Sequence, residues 1–343
     1  MTSIRRILFS LTVCALVLSV GTAFAANYRF DSIDIPGATF TYAYALNDSA
    51  QVVGSYTDAT GMQHGFLWAR GAYTSIDYPG AISTEAYDIN ASGQIVGQYF
   101  DASNKQHGFL LASGVYTSID YPEALATRAC GINAAGQIVG QNNDASNKGH
   151  GYLLSGSVYT SIDYTGATYT ATDKINLQGQ IMGWSFDTAA NKLVFILDST
   201  FTLLNYPSAA YTVAEGLNDA KQVAGWYTDA GNNNHGFLFA SGAYTAIDYP
   251  GALGTYAYGI NASGKIMGQY DDASKNGHGF LLSGSVYTSI DYPGATYTEA
   301  DIISASGKIV GLYYDAGNSQ HWFLATPTSA LPAILMLLLD EDS

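Results

Sequence analysis

The sequence predicts an all-β fold: a seven-bladed β-propeller with four antiparallel strands per blade. Three observations lead there. First, one phrase, Ser-Ile-Asp-Tyr-Pro-Gly-Ala, recurs along the chain with its Asp at Asp34, Asp77, Asp120, Asp163, Asp248 and Asp291, and with Asn205 in a degenerate copy. The spacing is 43 residues, with a single 42 before Asn205. So regular a period marks a repeat architecture. Second, each copy reads as four short strands, and a propeller is a ring of about four to eight four-stranded blades. Third, the two ends of the repeat region are complementary. Tyr28 to Asp34 matches the fourth strand of a unit, and the last unit stops at its third, His321 to Leu324. The N-terminal strand is therefore expected to pair with the last blade and close the ring.

Residues 1–25 precede the repeats. Arg5 and Arg6 are followed by the apolar run Ile7 to Val20 and by Ala23-Phe24-Ala25, a small-x-small cleavage site. This pattern predicts a secretory signal peptide removed near Ala26, and a protein that is secreted, periplasmic or at the cell surface. Beyond the leader Cys130 is the only cysteine, so no internal disulfide is expected. The formal charge is -15, and the leader holds two of the positive side chains. Such acidity argues against nucleic acid and anionic membranes as partners. No transmembrane span is expected in the mature chain.

The copy from Ser83 to Ala124 sets out the unit. Thr84 to Asn90 alternates and ends in the turn Asn90-Ala91-Ser92-Gly93. Gln94 to Phe100 follows, then the polar loop Asp101 to Gln106, then His107 to Leu111. Ser113-Gly114 turns the chain into Val115 to Asp120, and Tyr121-Pro122 closes the unit. Every strand is bounded by Gly, Asn, Asp, Ser or Pro. Helical periodicity is confined to the leader and the last dozen residues. Residues 26–328 are thus expected to form the ring. Residues 329–343 form a short tail, Leu331 to Leu339 apolar and Asp340 to Asp342 acidic, too short for a membrane span.

The unit resembles the bacterial extracellular repeats named for a His-Ala-Phe tripeptide, written here mostly as His-Gly-Phe. The matching residues are His64-Gly65-Phe66, His107-Gly108-Phe109, His235-Gly236-Phe237 and His278-Gly279-Phe280, with Gly131 to Asn133 and Gly136 to Gly140 nearby. The resemblance covers essentially the whole mature chain. It implies a secreted repeat protein of undefined activity and carries over no catalytic residue.

Several columns recur as scaffold. They are Thr41, Thr84, Thr127, Thr170, Thr212, Thr255 and Thr298; Gly54, Gly97, Gly140, Gly183, Gly225, Gly268 and Gly311; and Asn47, Asn90, Asn133, Asn176, Asn218 and Asn261. The glycines suit close strand packing or a bulge, and the asparagines suit tight turns. An Asp column (Asp58, Asp101, Asp144, Asp187, Asp229, Asp272, Asp315) lies six residues before a His column (His64, His107, His150, His235, His278, His321), where the degenerate copy has Leu193. One blade offers one Asp and one His, whereas a transition-metal site takes about three or four side-chain ligands. A structural role is expected instead. Asp caps its loop through backbone amides, and His bridges the blade to backbone. No metal and no cofactor is expected.

Binding is expected where the copies differ. On the strand that should line the channel, one varied position holds Tyr42, Glu85, Arg128, Ala171, Val213, Tyr256 and Glu299. Two residues on come Tyr44, Tyr87, Cys130, Asp173, Glu215, Tyr258 and Asp301. These rings mix tyrosine, carboxylates and one Arg, as a polar pocket does. A further circle, Tyr78, Tyr121, Tyr164, Tyr206, Tyr249 and Tyr292, falls at the connections between blades. It either covers the seams or offers stacking faces to sugars. The histidines are all committed to the repeat, and no Gly-x-Ser-x-Gly elbow stands out, so nucleophilic catalysis has no support. These readings predict a secreted, non-catalytic binding or scaffold propeller at the cell exterior, with a glycan or protein partner. The alternatives are a glycan hydrolase or lyase using channel carboxylates such as Glu85 and Glu299, and a multivalent sugar-binding lectin.

Overall fold

Seven four-stranded antiparallel sheets make up the computed structural model, one sheet per blade. It describes residues 28–328, so the expected leader (1–25) and tail (329–343) lie outside the described residues. The inner strands of blades 1 to 7 are Phe40–Leu46, Ser83–Ile89, Ala126–Ile132, Tyr169–Ile175, Tyr211–Leu217, Gly254–Ile260 and Tyr297–Ile303. In blade 2 the remaining strands are Ile95–Phe100, Gln106–Ala112 and Val115–Ile119, close to the bounds read from the sequence. The ring closes as expected. Tyr28–Ser32 pairs antiparallel with Gln320–Pro327, from Tyr28 opposite Pro327 to Ser32 opposite Phe323, and completes blade 7. Among the described residues no helix is long and apolar enough to cross a membrane.

The repeated tripeptide and the repeated glycine explain one another. Phe109 is fully buried, and a Cβ on Gly97 would lie 2.8 Å from its ring and 1.9 Å from the Glu85 carbonyl. The aromatic therefore needs the bare backbone of the neighbouring strand. The same fit recurs with Phe66 on Gly54, Phe237 on Gly225 and Phe323 on Gly311, and Tyr152 takes the place on Gly140. Each such ring contributes roughly 1.5–3 kcal/mol of burial.

Opposite that glycine the inner strand carries an extra residue. In blade 2 Ala86 faces Gly97 and Asp88 faces Val96, so Tyr87 has no partner. All seven blades show this shift. A bulge of this kind turns its side chain out of the sheet's alternation.

The glycine of the tripeptide sets how closely blades approach. A Cβ on Gly108 would come 3.1 Å from the Ala129 amide of the next blade. Val194 and Trp322 hold this place in blades 4 and 7, and the seams that follow those two blades are the loosest in the ring. Between blades 4 and 5 a crevice of about 790 Å³ opens, lined by Trp184, Lys192 and Tyr211 among others.

Candidate functional site

The recurring polar columns are consumed by the frame. Asp58 Oδ1 accepts hydrogen bonds from the Thr60 and Met62 amides, 2.8 and 2.9 Å, and so caps its loop as expected. The histidine corrects the sequence reading, because it reaches carboxylates rather than backbone. His64 Nδ1 lies 2.7 Å from Asp77 and Nε2 lies 3.4 Å from Asp58. The same clamp joins His107 to Asp120 and Asp101, His150 to Asp163 and Asp144, and His235 to Asp248 and Asp229. It joins His278 to Asp291 and Asp272, and His321 to Asp34 and Asp315. The second carboxylate is the Asp of the marker phrase, which the sequence reading left without a partner.

Tyrosines of the inter-blade circle also go into the frame. Tyr78 stacks on Tyr99 at 3.7 Å, and Tyr99 stacks on His107 at 4.9 Å. The triple stack recurs as Tyr206–Tyr227–His235, Tyr249–Tyr270–His278 and Tyr292–Tyr313–His321. The Tyr78 amide donates to Thr84 Oγ1, which accounts for the threonine column. These tyrosines cover seams, and each is half-buried.

The varied columns behave differently. The residue left over by each bulge is Tyr44, Tyr87, Cys130, Asp173, Glu215, Tyr258 or Asp301, the second of the two predicted rings. Tyr44, Tyr87, Cys130, Asp173, Tyr258 and Asp301 line the middle of the channel, a cavity of about 250 Å³. Toward the end that carries the Asp loops, Tyr42, Tyr44, Glu215, Tyr258, Glu299 and Asp301 share a cavity of about 260 Å³. Lys174 and Trp322 also line it, and the sequence reading singled out neither. Trp322 stands where most copies have glycine, and that departure was the available signal.

Three predicted residues line neither cavity. Glu85 accepts from Gln98 Nε2 at 2.6 Å and Tyr44 Oη at 3.4 Å. Arg128 lies 5.5 Å over the Tyr87 ring. Tyr256 packs on Trp226 at 5.4 Å and accepts from Asn234 at 2.7 Å. Glu85 and Glu299 are therefore not a pair; the carboxyl beside Glu299 is Asp301. Ala171 is fully buried.

No protein-family model and no curated protein matches the chain. Solved structures match in fold. The β-propeller domain of the trilobed protease from Pyrococcus furiosus is similar at 10% identity and a TM-score of 0.57, over 85% of this chain and 95% of that one. An acylaminoacyl peptidase from Pyrococcus horikoshii aligns at 10% identity and a TM-score of 0.55, over 88% of this chain and 54% of that one. The lectin BP39L from Burkholderia pseudomallei aligns more loosely, at 10% identity and a TM-score of 0.48, over 89% of this chain and 99% of that one. At such identities the likeness is one of propeller architecture.

The loop-side cavity is electrostatically unusual. Burial, then the charges of Glu299 and Glu215, push the Asp301 carboxyl well above the usual carboxylate range. Burial also raises Glu215, partly opposed by Lys174 and Lys192. Tyr42 is pushed up to about 12 by burial and by Asp301, Glu299 and Glu215. Asp301 Oδ2 is buried with no hydrogen-bond donor. Among the described residues, no three His, Cys, Asp or Glu are placed to hold a metal ion together.

Proposed function

We propose that this chain is an exported, non-catalytic binding propeller of the His-Ala-Phe repeat type, acting at the cell exterior, with its ligand seated in the loop-side mouth of the channel. One observation carries the reading. Side chains that recur from blade to blade are spent on clamps, turns and stacks, while six that vary gather in one concave cavity. A repeat must reproduce its frame in each copy, but a single site needs no repetition. Export rests on the leader pattern of residues 1–25.

A thermal-shift screen of glycans and small solutes against the purified protein tests this. Binding should disappear in Tyr258→Ala and persist in Tyr78→Ala. A ligand whose hydrogen-exchange footprint falls on the outer strands would overturn the placement. The adjacent carboxyls Glu299 and Asp301 favour one second reading, a hydrolase or lyase using them as acid and base on a glycan. Turnover lost in Glu299→Gln would select it.

A further inference from the structure

The loop-side cavity combines two kinds of wall. Tyr42, Tyr44 and Tyr258 supply aromatic surface, and Glu215, Glu299 and Asp301 supply carboxyls from blades 5 and 7. The Lys and Arg ion pairs among the described residues are Arg29–Asp31 and Lys221–Asp198, so none of these three carboxyls has a basic partner in contact. Tyr297 Oη donates to Glu299 at 2.8 Å, and the Asp301 carboxyl lies in hydrogen-bond contact with Glu299, its Oδ2 buried without any other donor. Two buried carboxyls in contact with no cation beside them cannot both ionise cheaply, and a bound positive charge would relieve that cost. Aromatic faces beside carboxylates attract an organic cation through ring quadrupole and charge together. The cavity, about 260 Å³, is larger than a bare ion requires and suits one small solute or the end group of a larger one.

We infer that this cavity takes a small organic cation, a ligand presenting a protonated amine or a quaternary ammonium. The inference rests on the channel mouth being the binding site, and it names the chemical class received there. The cation sits among the tyrosine rings and supplies the positive charge that Glu299 and Asp301 lack. Lys174 shares the cavity and Lys192 acts on Glu215 from the blade 4–5 side, so the cation's place is on the blade 7 wall. Binding favours the ionised carboxyls, so it releases protons in mildly acidic buffer. Asp173, Glu215, Tyr42, Tyr44, Tyr258 and Tyr297 are the other acidic and phenolic groups around the site.

Isothermal titration of the full mature protein tests this with choline and glucosamine as cationic probes. Glucose, N-acetylglucosamine and calcium chloride are the comparators. The expected result is one site per chain for both cations, weaker binding as salt rises, and heats that vary with the buffer's ionisation enthalpy. The Glu299→Gln, Asp301→Asn double variant should bind at least ~10-fold more weakly. It replaces two like-charged neighbours by amides, which removes their repulsion, and a thermal melt checks the fold. Equal binding of neutral N-acetylglucosamine, lost in Tyr258→Ala, would sink the cation while leaving the channel site standing. Calcium displacing choline would make the site a metal site and overturn the inference. No heat with either cation overturns it too, and the wider screen then decides the channel reading separately.

Discussion

Asn90 Nδ2 donates to the backbone carbonyl of Asn133, one blade further round, at 3.1 Å. Its Oδ1 meanwhile accepts from the Ser92 and Gln94 amides of its own turn. The link repeats from Asn47 through Asn261, whose Nδ2 reaches the Ser304 carbonyl. At the last seam Ser304 has no amide to offer, and Lys308 Nζ donates to the Asp48 carbonyl at 2.9 Å instead.

Replacing one of these asparagines should therefore cost more than a turn. Asn133→Ala leaves two turn amides and the Asn176 carbonyl without their partner, and should cost roughly 1–3 kcal/mol. Asn133→Asp keeps the acceptor but removes the donor and sets a carboxylate against the Asn176 carbonyl, so it should not rescue. Urea unfolding of both variants checks this.

The clamps predict a stability maximum at mildly acidic pH. Burial lowers the affinity of His64, His235 and His321 for a proton, but their paired carboxylates outweigh it and the net shift is upward. That contribution is complete below the unfolded histidine value and is lost as pH rises through the folded one. Hydrogen bonds from Thr60 and Met62 hold Asp58 at about 2, and those from Asn233 hold Asp229 at about 2. Their contribution is complete above the unfolded carboxylate value and is lost as pH falls toward 2. Both sets are satisfied between about pH 4 and 6.5. Urea midpoints measured from pH 3 to 9 should peak there, and a maximum in alkali would contradict the clamp.

Two glycines separate packing from backbone strain. Gly97→Ala places a Cβ 1.9 Å from the Glu85 carbonyl and should cost about 3 kcal/mol or more, with the inner bulge disturbed. Gly80 has φ +82° and open space around it. Gly80→Ala should cost only about 1–2 kcal/mol. Comparable losses in the two variants would refute the distinction.

Asp301→Asn should stabilise the ring, and do so increasingly as pH rises above the unfolded carboxylate value. Burial and the neighbouring Glu299 raise the folded value of Asp301 above its unfolded one, so the native acid loses stability as pH climbs from the unfolded value toward the folded one. Asn carries no such penalty. Paired melts at low and neutral pH should differ in the second condition alone.

Much of this was legible because a repeat prints its own alignment. The period, four strands per unit, the closure by Tyr28–Ser32 and the identity of the channel strand all follow from column arithmetic. The second clamp partner was within reach as well. The two-residue turn at Arg70-Gly71 pairs Ala69 with Ala72 and Gly65 with Ile76, which sets His64 beside Asp77. What no column could reveal is which varied residues meet. That Glu299 meets Asp301 of its own strand, and not Glu85, depends on the bulge between them, an irregularity of pairing that the period does not announce.

Beside Val194 the ring carries a small recess on the seam between blades 4 and 5. Asp173 borders both the channel and this recess, beside Trp184, Lys192 and Val213. At the opposite end the same two blades stay hinged, by Asn176 to the Asn218 carbonyl and Leu177 to Asp219. On its loop face the ring is thus notched between blades 4 and 5, while its opposite face stays stitched shut.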